Sequence, residues 1–499
     1  MITRLLARAI AFVALTGCAP AILTAQQPAL DTLAGAQTLS LDEALQRALP
    51  ASETVALARV AVQKARGEER QSRGEFYPQI TGTGSYTRTL KSQFSRSSGP
   101  TDTTIVNFCN HFTADPTQVT GTRLDSLEHS VECLSRLNPF AALGNLPFGQ
   151  KNQYNFGLAA SQTLFAGGRI RAQSKASGFN RRAAEIGLGA QEAQLTLDVT
   201  QAYYDAALSD RLLAIARGSL ELADSTYDQT RLAQQVGSQP EYDVLRAQVT
   251  RDNQRTTVIQ RQADRVSAFL KLKQLLNLSL DAPLRLTTGV MDSVLPTVTA
   301  IDSLIERTPD TMTAHRAPVL QAEATVQQQH ERLAVAKAER FPVVTLSSTY
   351  SRLAYPSDLL PKWDDFVSDW TAGVAVRVPL FTGGRIGGSI QVANAAFEDA
   401  RLKAQLIRER AAVDSRNALE RLRTARAAWE ASQGTVGQAE RAYAIATIRF
   451  REGISTQTEL ADSRILLEQS RANRATSARD LQIARVRVAL LNELPLPAQ

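Results

Sequence analysis

Histidine, cysteine, methionine and tryptophan are scarce in this chain: 4 His, 3 Cys, 3 Met and 3 Trp among 499 residues. Metal chemistry draws on clustered imidazole and thiolate ligands, so so thin a supply excludes a multi-metal enzyme and makes no case for copper as a cargo. The charge is nearly balanced, 56 Lys+Arg against 49 Asp+Glu for a net +7, with no basic run and no Arg/Lys stripe interleaved with aromatics. Nucleic acid is therefore not an expected partner. Beyond the amino-terminal segment no run of 18 apolar residues occurs, which excludes a membrane-spanning helix. A chain of this kind that crosses a bilayer must do so as a closed β-barrel. Catalytic signatures are missing too. Gly82-Thr83-Gly84 lacks the third glycine and the following helix of a nucleotide fingerprint, and neither a Walker loop nor a nucleophile elbow is found. The expectation is a protein without catalysis, cofactor or resident metal.

The amino terminus has the pattern of an export signal. Arg4 and Arg8 precede a mostly apolar stretch over 9–23, too short to span as a mature helix. Two cuts fit. Leu23-Thr24-Ala25 suits ordinary signal peptidase, which makes 1–25 the signal peptide; Leu15-Thr16-Gly17-Cys18 resembles a lipobox that would lipidate Cys18. Apolar sequence continues past Cys18, which favours the first.

The remainder is written twice. Phe76-Tyr77-Pro78-Gln79-Ile80-Thr81 returns as Arg340-Phe341-Pro342-Val343-Val344-Thr345, with the prolines 264 positions apart. Leu164-Phe165-Ala166-Gly167-Gly168-Arg169-Ile170 returns 216 positions on as Leu380-Phe381-Thr382-Gly383-Gly384-Arg385-Ile386, and Tyr227 with Gly237 returns as Tyr443 with Gly453. The first copy therefore carries about 48 additional residues between its Pro and Gly-Gly landmarks, within one loop. Each copy opens on an Ala-rich helical stretch (about 41–74 and 318–340) and continues in two segments of period two. Ile80, Gly82, Gly84 and Tyr86 oppose Thr81, Thr83, Ser85 and Thr87. Tyr154, Phe156, Leu158 and Ala160 oppose Asn155, Gly157, Ala159 and Ser161. The second copy sets Val344, Leu346, Ser348 and Tyr350 against Val343, Thr345, Ser347 and Thr349. Its other segment sets Trp370, Ala372, Val374, Val376 and Val378 against Thr371, Gly373, Ala375 and Arg377. About ten residues each, with one apolar and one small-polar face, this is the pattern of membrane barrel strands.

After each Gly-Gly-Arg a long helix is expected, since no Pro falls between Pro147 and Pro240 or between Pro379 and Pro495. A 4-3 spacing runs through Leu195, Val199, Ala202, Ala206, Ser209, Leu213, Ala216, Leu220, Ala223 and Tyr227. It runs again through Ala411, Ser415, Ala418, Leu422, Ala425, Trp429, Ser432, Val436, Ala439 and Tyr443. Such heptads indicate coiled-coil packing, and their alanines permit close approach. Roughly 68 residues at 1.5 Å rise give a rod of roughly 100 Å. Gly237 and Gly453 then reverse the chain into antiparallel helices over about 241–276 and 459–491.

Four spanning strands cannot close a barrel, and an open edge in lipid leaves backbone groups unsatisfied. Copies must pool strands. Three copies give twelve, enough for an aqueous lumen lined by Thr, Ser, Gly and Asn, with Tyr86, Tyr154, Tyr350, Trp363 and Trp370 as interfacial aromatics.

The duplicated strand–strand–helix–hairpin plan resembles the TolC-type outer membrane efflux family. So do the opening Leu39-Ser40-Leu41-Asp42-Glu43-Ala44-Leu45, the two Leu-Phe-x-Gly-Gly-Arg junctions and the two helix reversals. The resemblance implies a mainly α fold with a β-barrel portion: a homotrimer with a twelve-stranded barrel in outer membrane lipid and a long periplasmic α-helical barrel. It implies docking to a periplasmic adaptor and an inner-membrane transporter, without chemistry of its own. On this reading 26–276 is the first repeat, 277–316 a mixed equatorial region, 317–492 the second repeat and 493–499 a tail. The family's periplasmic mouth is ringed by acidic residues, matched here by Asp243, Glu459 and Asp462, of which Glu459 matches by charge only. A solvated helix face is the plainer role for such carboxylates. Tip residues expected to touch an adaptor are Gln234, Val236, Gly237, Ser238, Gly453, Ile454 and Ser455. The Tyr and Arg that close the archetype's mouth fall on Phe450 and Ser455. Neither can make the same bonds, which leaves Arg449, Arg451 or Arg246 to serve.

The insertion over 90–152 holds Cys109, His111, His129 and Cys133. This set fits either a zinc site or a Cys109–Cys133 disulfide; an exported loop with two cysteines favours the disulfide. The competing reading of the whole chain is a structural periplasmic coiled-coil rod or adaptor without a pore. It accounts for the heptads and leaves the four alternating strands unexplained.

Overall fold

A computed structural model describes residues 37–91, 131, 151–289, 313–356 and 358–497. The signal segment, Cys18, nearly all of the 90–152 insertion with Cys109 and Cys133, and all of 290–312 lie outside these residues. In chain order the elements are β1 (Gln37–Leu39), α1 (Leu41–Ala51), α2 (Glu53–Gly74), β2 (Gln79–Arg88) and β3 (Asn152–Phe165). There follow α3 (Arg169–Gln235), α4 (Glu241–Leu275), β4 (Leu284–Leu286), α5 (Ala317–Ala338) and β5 (Val343–Ala354). Finally come β6 (Phe366–Arg377), α6 (Arg385–Arg451) and α7 (Gln457–Ala489). The chain is mainly helical, and no described helix is long and apolar enough to cross a membrane.

The chain divides into two compact units, one of Met1–Gln46 with Ala202–Ser293 and one of Arg47–Gln201 with Val294–Gln499. In the first, β1 pairs in parallel with β4, Thr38 opposite Arg285. Tyr203, fully buried, staples this small sheet: its hydroxyl donates to the Leu39 carbonyl at 2.9 Å and accepts from the Thr288 N–H at 3.0 Å. The Leu-Ser-Leu-Asp-Glu opening has a local cause. The Ser40 N–H donates to Glu43 Oε2 at 2.8 Å and the Glu43 N–H donates to Ser40 Oγ at 3.3 Å, a capping box that starts α1. That backbone hydrogen bond from Ser40 holds the Glu43 carboxyl below its ordinary range.

The Ala-rich stretch of the first copy is two helices, where periodicity indicates one. Pro50 lies in the last turn of α1, and Ser52 is extended and accepts from the Val55 N–H at 3.4 Å, capping α2. A proline that removes a ladder donor and a serine that supplies a cap together outweigh the helical pattern.

In the second unit β2, β3, β5 and β6 form one antiparallel sheet in that order. The hairpin of α6 and α7 is built on small residues. Ala411, Ser415, Ala418, Leu422, Trp429, Ser432, Val436 and Ala439 are buried, facing the buried Leu467, Ala475, Ala478, Leu481 and Val488 of α7. The seam hydroxyls return to their own backbone, Ser415 to Ala411 O and Ser432 to Trp429 O, both at 2.7 Å. A serine there keeps the helices close without leaving a buried donor unpaired.

Candidate functional site: a two-faced sheet, its junctions and the helix tips

Register decides what the sheet can do. Gly82, Leu158, Tyr350 and Trp370 stand in one row across the four strands, and Thr83, Gly157, Ser351 and Asp369 in the next. Because successive side chains alternate, rows of one parity carry Ile80, Leu158, Phe156, Tyr154 and Val374, with Ser348 and Arg352 among them, and rows of the other carry Thr81, Thr83, Ser85, Thr349 and Thr371, with Leu353 and Val367 among them. One face is thus mainly apolar and aromatic and the other mainly small and polar. The strands hold 10 to 14 residues, the length of a tilted membrane strand. At the end of the sheet remote from the helices, Asn152 is buried. Its amide donates to the Asp358 carbonyl at 2.8 Å and its oxygen accepts from the Tyr86 hydroxyl at 3.0 Å. Tyr154 donates to the Leu359 carbonyl, so the loop between β5 and β6 is tied to the first hairpin.

At the other end, both Gly-Gly junctions adopt the same left-handed pair: Gly167 and Gly168 at φ of 60° and 84°, Gly383 and Gly384 at 57° and 84°. Only glycine takes two such residues in succession cheaply. Each junction is braced within its repeat, Arg169 lying 3.8 Å from Glu75 and Arg385 3.1 Å from Glu339. Farther along, Glu69 is buried and accepts from Arg73 and from Arg181, each at 2.7 Å. Arg181 continues to Glu185 at 2.8 Å, and Glu185 to Arg66 at 3.0 Å. The Arg66 guanidinium, then Arg181, holds the Glu185 carboxyl below its ordinary value of 4.5; the hydrogen bonds to Glu185 and then Glu69 raise Arg181. This ladder clamps α2 to the start of α3.

The two helix reversals share one construction. Ser238 N–H donates to Ala233 O and Gly237 N–H to Gln234 O, both at 2.9 Å; Ile454 N–H donates to Arg449 O at 2.8 Å and Gly453 N–H to Phe450 O at 3.1 Å. These are Schellman motifs, with Gly237 (φ 78°) and Gly453 (φ 71°) at the left-handed position. Val236 and Ile454 are exposed at the two tips. Asp243 is half-buried in the first turn of α4, while Glu459 and Asp462 are exposed at the start of α7. Glu459 lies 3.6 Å from Arg449 in its own hairpin. Phe450 is buried with Ala446 and Leu460 against Tyr443, so it acts as core. Ser455 Oγ and Gln457 Oε1 are buried and make no hydrogen bond among the described residues. Nearby Arg464 is buried, and desolvation lowers its pKa against the opposing charge of Glu468.

Sequence reading passed over Arg316. It is fully buried at the N-cap of α5 and donates to Asp414 Oδ2 at 2.7 Å, Ala411 O at 3.3 Å and Leu494 O at 3.4 Å. Arg487 reaches the other oxygen of Asp414 at 3.2 Å. The Ala317 N–H donates to Asn492 O at 2.6 Å, and Leu494 packs with Ala193 and Leu197. Arg316 therefore joins α5, α6 and the chain after α7. One arginine between a histidine and an alanine carries no periodic signal that would have marked it.

A four-stranded antiparallel sheet with one mainly apolar and one mainly polar face, joined to long Ala-rich helices, is the organisation expected of an outer membrane channel. Comparison with known proteins agrees. The profile of the family described as outer membrane efflux protein matches residues 140–278 and 308–492, one match in each copy, and the chain belongs to that family. It is thereby an outer membrane protein of the efflux channel class. It is 26% identical over 211 residues, 41% of its own length, to the fusaric acid resistance protein FusA of Burkholderia cepacia. It is 24% identical over 248 residues, 49% of its own length, to the probable efflux pump outer membrane protein SepC of Pseudomonas putida. The chain spans about half or less of these relatives, 38% of FusA and 49% of SepC. Among solved structures it is similar to the outer membrane protein VceC of Vibrio cholerae, with a TM-score of 0.69 at 18% identity over 91% of this chain and 96% of that one.

Proposed function

We propose that three copies pool their strands into a twelve-stranded barrel and that the chain serves as the passive exit duct of a tripartite efflux or type I secretion system. The observation that carries this reading is the four-stranded sheet with two faces of opposite polarity and two unpaired edges, β2 and β6. Lipid does not tolerate such edges, and identical neighbours are the simplest way to cover them. The apolar face would meet lipid and the Thr/Ser/Gly face an aqueous lumen. The tips, with Gln234, Val236, Gly237, Ser238, Gly453, Ile454 and Ser455, would receive a periplasmic adaptor that links the duct to an inner-membrane transporter. Ring symmetry would bring three copies each of Asp243, Glu459 and Asp462 around one axis and favour cations. The rod or adaptor alternative gives the two-faced sheet nothing to do.

The experiment is extraction of the protein from outer membranes, mass determination in detergent and conductance in planar bilayers. A trimer with cation-preferring conductance is expected; a monomer that forms no channel overturns the proposal. Asp243→Ala and Asp462→Ala should reduce cation preference more than Glu459→Ala, because Glu459 already has Arg449 beside it. Unchanged selectivity in all three variants removes the acidic mouth.

A further inference from the structure

We propose that β6 of one copy pairs with β2 of the next in one definite register, the one that β3 and β5 already use inside the chain, so that Ala375 faces the partner's Ser85. The inference rests on the trimeric reading above and adds which residues meet at its seam.

The duplication supplies the geometry. A shift of 216 positions carries β3 onto β6, and one of 264 carries β2 onto β5. Within the chain the two hairpins meet along β3 and β5, with Ala159 opposite Thr349 and Leu158 opposite Tyr350. Transferred to the two free edges, these pairs become Ala375 with the partner's Ser85 and Val374 with the partner's Tyr86. Polar-face residues meet polar-face residues along the seam, and apolar-face residues meet apolar-face residues, with the partner's Arg88 opposite Ala372 as the charged exception. A slip of one residue would reverse that for every pair.

Three features of the single chain fit this seam. First, β3 runs to Phe165, whereas β6 stops at Arg377, short of its equivalent Phe381. Leu380 and Phe381 are 91% and 92% exposed, against 57% and 49% for Leu164 and Phe165, which have β5 beside them. The β3–β5 ladder also has a bulge between Thr163 and Phe165. Its transfer puts Phe381 opposite the partner's Ile80 and sets Pro379, which has no N–H to give, beside the bulge. Second, the far end of the seam brings Trp370, 76% exposed, opposite the partner's Leu90, 92% exposed. One step further, on the polar face, it brings Asp369 opposite the partner's Lys91. Third, a Cβ on Gly167 would lie 2.6 Å from Phe341 Cβ and 3.0 Å from Ala338 O, while one on Gly383 meets nothing within 4 Å. The position equivalent to Phe341 is Tyr77, which is exposed on the other edge. Gly383 is left open in one chain because the corner that fills its space belongs to another copy.

Disulfide trapping in the full-length protein in its native membrane tests the register. In one chain β2 and β6 are three strand spacings apart, about 14 Å, beyond the reach of a disulfide, so any bond between them joins two copies. The Ser85→Cys/Ala375→Cys variant, oxidised in membranes, is expected to run as covalent dimers and trimers that collapse on reduction. Thr81→Cys/Ala375→Cys, displaced by four residues, is expected to stay monomeric, as are the single variants, which control for the native cysteines. Mass in detergent is measured on the same samples. A trimer by mass that cross-links through Thr81→Cys or Thr87→Cys and not through Ser85→Cys overturns the register and leaves the channel standing. A monomer by mass with no cross-link overturns both.

Discussion

Arg408 of α6 donates to Glu323 of α5 at 2.8 Å, and the equivalent positions of the first copy, Glu192 and Arg59, hold the same pair with its charges exchanged, at 3.4 Å. The two repeats thus carry opposite labels at one contact. Exchanging α2 and α5 between the repeats would set Arg59 against Arg408 and Glu323 against Glu192, which like charges oppose. Both pairs are substantially exposed, so each contributes only about 0.2–1 kcal/mol. Arg408→Glu should lower the thermal midpoint slightly, and Glu323→Arg added to it should restore the loss. Independent, additive losses in the double variant would show that the pair carries no coupling.

Arg316 should matter far more. Its removal takes a donor from the carbonyl of Leu494, leaves the Ala411 carbonyl to Ser415 and leaves Asp414 to Arg487. Breaking a buried pair of this kind costs roughly 3 kcal/mol. Arg316→Ala should shift the denaturant midpoint accordingly and raise proteolysis after α7. Arg316→Lys should recover only part, because an ammonium cannot reproduce the planar fork that reaches Asp414, Ala411, Ser415 and Leu494 together.

Alanine at the two junction glycines should separate folding from assembly. Gly167→Ala meets Phe341 and the Ala338 carbonyl within one chain and should reduce the yield of folded protein. Gly383→Ala bears only the strain of its positive φ, about 1 kcal/mol, and should leave the subunit folded. Its trimer yield from membranes should nonetheless fall. Equal effects of the two substitutions on folded-subunit yield would contradict the asymmetry.

The ladder from Arg73 to Arg66 predicts a pH dependence. Glu185 is held below its ordinary value of 4.5, first by Arg66, so the folded state binds its proton less readily than the unfolded chain. Its contribution is complete above the unfolded value and disappears as pH falls through the lowered one. Thermal midpoints of Arg66→Ala should therefore converge with those of the parent protein as pH falls through the lowered value of Glu185 and differ most near neutrality. A constant difference across that range would assign the effect to packing.

Much of the architecture was legible because it rests on period. Strand segments alternate strictly, and the buried seam of α6 runs through the same Ala411-to-Ala439 spacing read from the sequence. The break at Ser52 was harder, since one proline and one cap compete with an otherwise continuous helical pattern. Tyr203 and Arg316 were not legible at all. Their partners lie 164 and 98 positions away in sequence, and no local pattern announces a side chain whose role is to join distant segments.

By itself the sequence determined the duplication, the two polarities of each strand and the glycines at which helices begin and reverse, because all of these are local and repeat at fixed offsets. Only the tertiary structure decided that β3 pairs with β5, that the Ser40–Glu43 capping box lies next to the small β1–β4 sheet, and that Arg449 takes up Glu459. Strand order and ion pairing depend on which surfaces meet once long helices and hairpins have packed. That outcome is set by shape and charge brought together across hundreds of residues and not by any one stretch of chain.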